Sequence, residues 1–459
     1  MSTPRLLHPV TRRTALKRLL FGAAGVALID RIVPLARAAE SAGTAAGPAQ
    51  PVRPACAPAR AKAVIQIWMW GGPAHLDTFD PKPDAGNDYC GPLKKPIATN
   101  VDGIRICELL PELAKHADKY SILRGMTHGN NGHETASYIV QTGHEPGGSL
   151  VYPCVGAVVS LFNGYDAGYK GRVPPYIVLT SAQGRFSEAG FLGLRYKPFV
   201  TGGDPAQRQF AVEGIVAAGI THERQQGRRA LLHSLDTLGR AMPPNQQFQQ
   251  LDRCEEKAYD MILGDGGKVF DLSDEKDALR DRYGRNTFGQ SCLVARRLVE
   301  SGVPCVTINY RGWDTHKQHF ETMQRKLPEM DKGMASLLQD LADRGLLDST
   351  IVWWSGEFGR TPRVQWESPW NGGRGHYGKC FSAVLAGGGF KGGCVVGASD
   401  SKGEEVADRP VFPQDMIASI YGLLGINPDA PLPNPRGLDV KVLQPEDTHS
   451  SRAMLREIM

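Results

Sequence analysis

The sequence lacks several features that would assign a function class at once. Its nine cysteines include no C-x-x-C pair, which argues against a zinc ribbon or a thioredoxin-like redox site. The apolar stretch from Leu19 to Ile29 has only eleven residues, whereas a membrane-spanning helix needs about 20. No internal repeat is evident, so a solenoid or a propeller is not indicated.

Outside its first residues the chain also lacks an excess of charge of either sign. The formal net charge is +5, but residues 1–38 carry seven Lys or Arg and one Asp, so the remainder has a net charge of −1. A nucleic-acid-binding protein normally shows a basic surplus on its folded part. We therefore expect no nucleic-acid partner.

Residues 1–38 have the three parts of an export signal in the correct order. Arg12 and Arg13 lie in a basic stretch, the short apolar run follows, and Ala36-Arg37-Ala38 forms a small-x-small cleavage site. The segment resembles a twin-arginine signal peptide, whose substrates cross the membrane folded. This predicts recognition by the twin-arginine export machinery, a periplasmic or extracellular location and no transmembrane segment in the mature form. Residues 39–61, rich in Ala and Pro, are expected to form a tether.

Apolar segments typical of buried strands alternate with segments of helical periodicity after residue 62. The strands are predicted at Ala63–Trp70, Tyr120–Arg124, Tyr176–Thr180, Cys305–Tyr310, Thr350–Trp354 and Cys380–Ala386. The helices are predicted at Glu108–Asp118, Thr135–Thr142, Cys154–Phe162, Phe288–Glu300 and Leu327–Arg344. This alternation predicts an α/β domain over residues 62–443, with a mostly parallel central sheet and helices on both faces. A polar segment at about 207–281 reads as a helical insertion, and residues 444–459 as a C-terminal tail.

Acidic residues and histidines follow several of the predicted strands. Asp77 follows the first, Asp314 and His316 the fourth, and Glu357 and His376 the fifth. Ligands of open α/β sheets bind beyond the carboxyl ends of the strands, where these residues are expected to meet. Carboxylate oxygens and imidazole nitrogens suit a divalent ion, and Zn, Ca, Mg and Mn all remain open.

Basic side chains and the start of a predicted helix are candidates for binding an anion at the same edge of the sheet. Arg360, Arg374 and Lys379 lie near Glu357 in the sequence and are candidates for binding phosphate or sulfate oxygens. His133 lies at the start of a predicted helix, where free N–H groups and the helix dipole favour a bound anion. His128 and His144 are alternatives to His133, and His319 is an alternative to His316.

Four motifs, GGPxHxDTFDPKP, WDTH, GEFGRTP and GRGH, resemble the family called domain of unknown function 1501. The resemblance extends over nearly the whole mature chain. That family is placed in the alkaline phosphatase and sulfatase superfamily, which implies an alkaline-phosphatase-like fold. It further implies that the metal ligands are Asp77, Asp314, His316, Glu357 and His376, with Lys379 near the anion.

The chain departs from the superfamily pattern at two points. Phe358 occupies the position of a histidine of the second metal site, so a complete two-metal centre is not implied. When Thr142-Gly143 is matched to the closing Thr-Gly of the sulfatase motif, His133 falls at the position of the nucleophile and Ser137 at that of its arginine, so formylglycine chemistry is not implied. The nucleophile would then be a water activated by the metal, Thr135, Thr127 or His133 itself. As an alternative, His133 is a further ligand or the general acid/base.

Two hypotheses of different classes follow from these residues. The first is an exported, metal-dependent hydrolase of a phosphate or sulfate ester, with His133, Thr135, Arg360 and Lys379 as catalytic residues. Its substrate would be a small anionic ester or a sulfated or phosphorylated glycan. The second is a catalytically inactive member of the fold that binds an anionic glycan or a partner protein. A dinucleotide-binding protein is not supported, because Gly387-Gly388-Gly389 lacks the strand-to-helix context of that fingerprint.

Overall fold

The computed structural model describes residues 58–184, 188–207, 210, 212, 222–235, 261, 265–444 and 454–459. The predicted signal peptide, almost all of the predicted tether, much of the helical insertion and part of the C-terminal tail lie outside the described residues. Two helices fall in the described parts of the insertion. No helix of the described chain combines the length and the apolar character needed to cross a bilayer.

Fourteen strands are present in the described chain, and eight of them form one central sheet. Their bounds are β1 Ala63–Trp68, β2 Ile97–Ala98, β3 Arg105–Ile106, β4 Tyr120–Met126, β5 Tyr176–Leu179, β6 Phe199–Val200, β7 Cys305–Asn309, β8 Thr350–Ser355, β9 Gly359–Arg360, β10 His376–Tyr377, β11 Phe381–Ala386, β12 Cys394–Val396, β13 Ala398–Ser399 and β14 Val406–Asp408. The order in the sheet is β12-β4-β11-β8-β1-β7-β5-β6. The other six strands pair in twos.

The α-helices of the described chain are α1 Asn87–Cys90, α2 Pro111–Ala114, α3 His133–Thr142, α4 Val155–Val159, α5 His222–Leu235, α6 Asp277–Tyr283, α7 Thr287–Glu300, α8 His319–Asp343 and α9 Pro413–Leu423. A π-helical turn, Ser160–Gly164, continues α4. Short 3₁₀ turns lie at Pro83–Ala85, Ala117–Lys119, Tyr165–Ala167, Gly190–Leu192, Leu194–Tyr196, Asp265–Phe270, Leu347–Ser349 and Arg456–Ile458.

The sheet is covered on both faces because its central strands are apolar throughout. In β1, Ile65 and Ile67 point to one face and Val64 and Trp68 to the other, as the two-residue period of a strand requires. Helices α7 and α8 pack on the first face, and α4 and α9 on the second. The one polar side chain of β1, Gln66, is satisfied by hydrogen bonds with neighbouring elements.

The structure confirms the predicted α/β class and the mostly parallel sheet. All six predicted strands are present, and β1 is flanked by parallel partners, β7 and β8. Strand β11 is the exception, since it runs antiparallel to both β4 and β8. The segment between β8 and β11 contains no helix that would bring the chain back to the opposite edge of the sheet, so β11 returns in the reverse direction.

Candidate metal centre

Four segments rich in polar residues leave the same edge of the sheet. Trp68, Asn309 and Ser355, the last residues of β1, β7 and β8, are register partners, so the loops that follow start side by side. Strand β4 runs in the same direction as β8 and leads into α3, which begins at His133. The edge therefore collects side chains that are far apart in the sequence.

Glycine allows the first of these loops to approach the others closely. Gly71 has φ +110°, and a Cβ atom there would lie 2.2 Å from the backbone nitrogen of Asp314. Its N–H donates to both oxygens of the buried Glu357 carboxylate, at 2.9 and 3.2 Å. The loop after β1 thus holds the other two loops in place through its backbone.

Three imidazoles converge on the carboxylate of Asp314. The Nε2 atoms of His316 and His376 lie 3.0 and 3.1 Å from its Oδ1, and Nε2 of His133 lies 3.3 Å from its Oδ2. Nε2 of His316 and Nε2 of His376 are 2.9 Å apart. We call His133, Asp314, His316, Glu357 and His376 the acid–histidine cluster.

Two of the imidazoles are held in orientation by hydrogen-bond acceptors that contact Nδ1, the ring nitrogen that does not face Asp314. Nδ1 of His133 lies 2.7 Å from Oε1 of Glu357, and Nδ1 of His376 donates to the carbonyl of Asn131 at 2.9 Å. This arrangement turns each Nε2 toward Asp314. A carboxylate or a carbonyl behind an imidazole is the usual way in which proteins fix a histidine that binds a metal.

The spacing of the donor atoms is compatible with one ion. Ligands about 2.0–2.1 Å from a central ion lie about 2.9–3.4 Å from one another at octahedral or tetrahedral angles. Four distances among His133, Asp314, His316 and His376, given above, fall in this range. In the part of the chain that the structure describes, the ligand atoms of His133, Asp314 and His376 all lie within 4.8 Å of one another, and His316 contacts two members of this group.

Aromatic rings form the walls of the cluster. The ring of Phe358 stacks on His376 with centroids 4.7 Å apart, and the ring of Trp70 stacks on His133 at 5.6 Å. Phe358 is fully buried. The residue that follows Glu357 therefore forms an apolar wall of the cluster.

The charges and the burial of the cluster shift the pKa values of its side chains. The hydrogen bonds that His133 donates to the carboxylates of Asp314 and Glu357 raise its pKa to about 9. Burial would raise the pKa of Asp314, but the bond to His133 and the charge of Arg360 outweigh it and lower the pKa. Desolvation lowers the pKa of His316. The two carboxylates thus create a position that favours positive charge.

The structure places the predicted basic residues in different environments. Arg360 is fully buried and donates to the carbonyls of Gly71 and Gly72 and to Oδ1 of Asp314. Lys379 is exposed, and its Nζ lies 3.7 Å from Oε1 of Glu405 in a surface ion pair. The structure therefore does not bring Lys379 into the acid–histidine cluster. Thr135 is the third residue of α3, two positions after His133.

Asp77 and Arg374 lie together in a second group, fully enclosed in the protein. Nε of Arg374 lies 2.8 Å from Oδ2 of Asp77, and Nε2 of His319 donates to the same oxygen at 2.8 Å. The other guanidinium donors of Arg374 bond to backbone carbonyls of Tyr89, Thr361 and Pro362. The structure therefore brings neither Asp77 nor Arg374 into the acid–histidine cluster.

Thr315 connects the second group to the loop that carries Asp314. Its hydroxyl donates to Nδ1 of His319 at 2.6 Å, and its carbonyl accepts the backbone N–H of Arg374 at 3.1 Å. We call Asp77, Thr315, His319 and Arg374 the buried network. Burial would raise the pKa of Asp77, but the charge of Arg374 and the bond to His319 outweigh it and lower the pKa.

Sequence reasoning did not predict the contacts made by His128, by two aromatic rings and by His319. His128 donates from Nε2 to the carbonyl of Glu357 at 2.7 Å and accepts from the backbone N–H of Asn130, which fixes it as a neutral support. The stacking of Phe358 and Trp70 was also not predicted. His319 was named as an alternative ligand, and its position in the first turn of a long amphipathic helix was the available signal that it is buried.

Comparisons with known proteins assign the family. The chain belongs to the family described as Protein of unknown function (DUF1501), which it matches over residues 61–454. No curated protein matches the sequence.

Solved structures offer only low similarity. The chain is similar to the lipoteichoic acid synthase LtaP from Listeria monocytogenes at 10% identity, with 84% of this chain and 75% of that chain covered and a TM-score of 0.36. A protein in the alkaline phosphatase superfamily from Vibrio parahaemolyticus gives 10% identity, 84% and 73% coverage and a TM-score of 0.36. The PsFucS1 sulfatase from Pseudoalteromonas sp. gives 15% identity, 81% and 69% coverage and a TM-score of 0.34. Scores this low support no inference about activity.

Proposed function

We propose that the protein is an exported, metal-dependent hydrolase of a phosphate or sulfate ester. The observation that supports this most is the convergence of three imidazole Nε2 atoms on Asp314 at the carboxyl edge of the sheet. Export is inferred from the twin-arginine motif of residues 1–38, and the proposed location is the periplasm or the extracellular space.

The proposed ligands of the ion are His133, Asp314, His316 and His376. Glu357 would orient the ring of His133, because its Oε1 accepts a hydrogen bond from Nδ1 of that ring. Both oxygens of Glu357 also accept the N–H of Gly71. Imidazole donors suit zinc better than calcium or magnesium, which prefer carboxylate and carbonyl oxygens. Zinc is therefore the proposed ion, in a site for one ion because Phe358 occupies the second position.

The chemistry that a bound divalent ion supplies is polarisation of the ester oxygen and activation of a water molecule near neutral pH. The chain contributes the surrounding electrostatics. Helix α3 begins at His133, so the partial positive charge of its N-terminus lies at the cluster and favours the oxygens of the acid group. Arg360 keeps its positive charge beside Asp314. The nucleophile would be this water molecule or, as the alternative, the hydroxyl of Thr135 in the first turn of α3.

A second candidate function is a catalytically inactive protein that binds an anionic glycan or a partner protein. One observation favours it. The polar groups of the cluster satisfy one another, since Glu357 accepts from Gly71 and contacts His133 while Asp314 accepts from Arg360. Such a cluster is stable without an ion when one imidazole is protonated.

Metal analysis combined with an ester panel separates the two functions. The purified protein is expected to hold about one zinc ion per chain and to hydrolyse aryl phosphate or aryl sulfate esters. Asp314→Ala and His376→Ala are expected to lose both the ion and the activity. Asp274→Ala, which removes an exposed acid outside the cluster, is the matched control and should retain both. Hydrolysis that is equal in all four proteins would refute the assigned site, and wild type without a stoichiometric ion would favour the inactive alternative.

A further inference from the structure

An open cavity of about 450 Å³ is lined by the loop that follows β9 and by Asp88 of α1. Its volume falls within the roughly 300–1,000 Å³ of small-molecule sites. The residues that line it are Asp88, Thr361, Arg363, Val364, Gln365, Trp366 and Glu367. None of these side chains has a part in the proposed hydrolysis.

Short connections link the cavity to the cluster. Thr361 follows Arg360, the partner of Asp314, and its Oγ1 accepts the N–H of Gly375 at 2.9 Å, one residue before His376. On the other side, the ring of Trp370 lies 6.3 Å from the ring of His316. Thr361 therefore joins the wall of the cavity to the segment that carries His376.

Trp366 presents an indole to the cavity on a rigid support. The ring centroids of Trp366 and Phe320 are 5.7 Å apart with an interplanar angle of 18°, so the two rings stack. The guanidinium carbon of Arg374 lies 5.5 Å from the centroid of the Phe320 ring. Phe320 and Arg374 are buried, whereas Trp366 is 40% exposed. An aromatic ring held in this way loses little conformational entropy when a ligand packs on it.

The remaining lining is polar and hydrogen-bonding. Asp88, Arg363, Gln365 and Glu367 supply carboxylate, guanidinium and amide groups around the indole, and Asp88 and Arg363 are exposed and 3.7 Å apart. An aromatic face surrounded by such groups matches a sugar ring, which has C–H bonds on its face and hydroxyls at its edge. A lipid chain would leave the charged groups of the rim without partners.

We propose that this cavity binds a sugar ring of a glycan whose phosphate or sulfate ester lies at the acid–histidine cluster. Trp366 packs on the face of the ring, and the polar rim binds its hydroxyls. This inference rests on the proposed function for the assignment of the ester, while the sugar-binding cavity is itself testable by binding alone.

The test measures binding of the protein to an array of neutral, sulfated and phosphorylated oligosaccharides. Wild type is expected to bind members of the array. Trp366→Ala is expected to weaken that binding at least fivefold, which corresponds to about 1 kcal/mol for an aromatic contact. Trp366→Phe keeps an aromatic face and should recover part of the affinity. Leu438→Ala, which truncates another exposed apolar side chain, is the control and should bind as wild type does.

Thermal unfolding of each variant establishes that it is folded. If wild type binds no glycan, or if Trp366→Ala binds as tightly as wild type, the sugar-binding proposal is overturned. Hydrolysis of aryl esters by a protein that binds no glycan would retain the proposed function and discard the sugar site. Glycan binding that depends on Trp366, without hydrolysis of any ester, would retain the sugar site and discard the hydrolase.

Discussion

The acid–histidine cluster and the buried network contain similar groups in different surroundings. Each combines aspartate, histidine and arginine in loops at the edge of the sheet. In the buried network, Arg374 contacts both oxygens of Asp77, His319 donates a hydrogen bond to one of them, and all three side chains are fully enclosed. In the cluster, Asp314 is 41% exposed and three imidazoles face it, with Arg360 bonded to one of its oxygens.

The difference shows what separates a structural ion pair from a ligand site. A buried carboxylate must be paired, and a guanidinium that bonds to it and to several backbone carbonyls leaves no position for an ion. Imidazoles are neutral over much of the pH range and bind a metal through one nitrogen while the other is hydrogen-bonded. We therefore infer that Arg374 makes Asp77 a structural residue, whereas the histidines around Asp314 are the proposed ligands.

The largest expected effect is the loss of Arg374. Arg374→Met removes the partner of Asp77 and leaves a buried carboxylate without its countercharge. We expect the free energy of unfolding to fall by about 3–5 kcal/mol, the typical result of breaking a buried ion pair from one side. Urea denaturation measures it, with Arg363→Met as the control because Arg363 is exposed. A loss below about 1 kcal/mol would contradict the structural role.

A paired substitution tests which aspartate binds the ion. Asp314→Asn should lower zinc affinity by about 100-fold or more, because loss of a ligand exceeds the 10–100-fold effect of an outer partner. Asp77→Asn should still bind about one zinc per chain at saturating zinc, although the folded protein is less stable. Competition with a chelator of known affinity measures both. Loss of the ion from a folded Asp77→Asn protein would make Asp77 a ligand and break the distinction between the two regions.

The hydroxyl of Thr315 offers a smaller test of the connection between the two regions. Thr315→Val keeps the shape of the side chain but removes the donor to Nδ1 of His319, leaving a buried acceptor unsatisfied. We expect a loss of about 1–3 kcal/mol in the free energy of unfolding. Circular dichroism during urea unfolding would detect it. Thr99→Val, at a partly exposed loop hydroxyl, should change stability less.

The pH dependence of stability gives the smallest effect. The pKa of Asp77 is lowered in the folded protein, so its ionised form contributes stability above the unfolded pKa of about 3.9. That contribution is lost as the pH falls through the folded pKa. The difference in unfolding free energy between wild type and Asp77→Asn should therefore shrink as the pH falls below about 4. The measurement is made with EDTA in every sample, and a constant difference would refute the assignment.

The sequence predicted the edge of the sheet at which polar groups meet, because strand-end positions follow from local patterns. It placed Asp314 and Glu357 directly after β7 and β8, and these residues do lie together. It could not predict the environment of Asp77, because the guanidinium that bonds to it comes from a residue 297 positions away. Side-chain pairing over such distances depends on tertiary packing, which local periodicity does not encode.

The same reasoning explains what the sequence left open about the fold. The apolar segments identified the strands of the sheet, since buried strands are continuous apolar runs. The direction of β11 was not predicted, because a run of apolar residues has no direction. The very short strands β6 and β12 were not identified, since two or three residues carry no measurable period.

The wide spacing of the proposed ligands along the chain has a consequence for the order of folding. His133 and Glu357 are 224 residues apart, and Gly71 and Glu357 are 286 apart. These contacts close very large loops, which form late because of their entropic cost. Zinc cannot be captured with full affinity until β1, β4, β7 and β8 are aligned. A nascent chain that ends before residue 376 is therefore expected to bind the ion weakly, and tight zinc uptake would report that synthesis has passed residue 376 and that these strands are aligned.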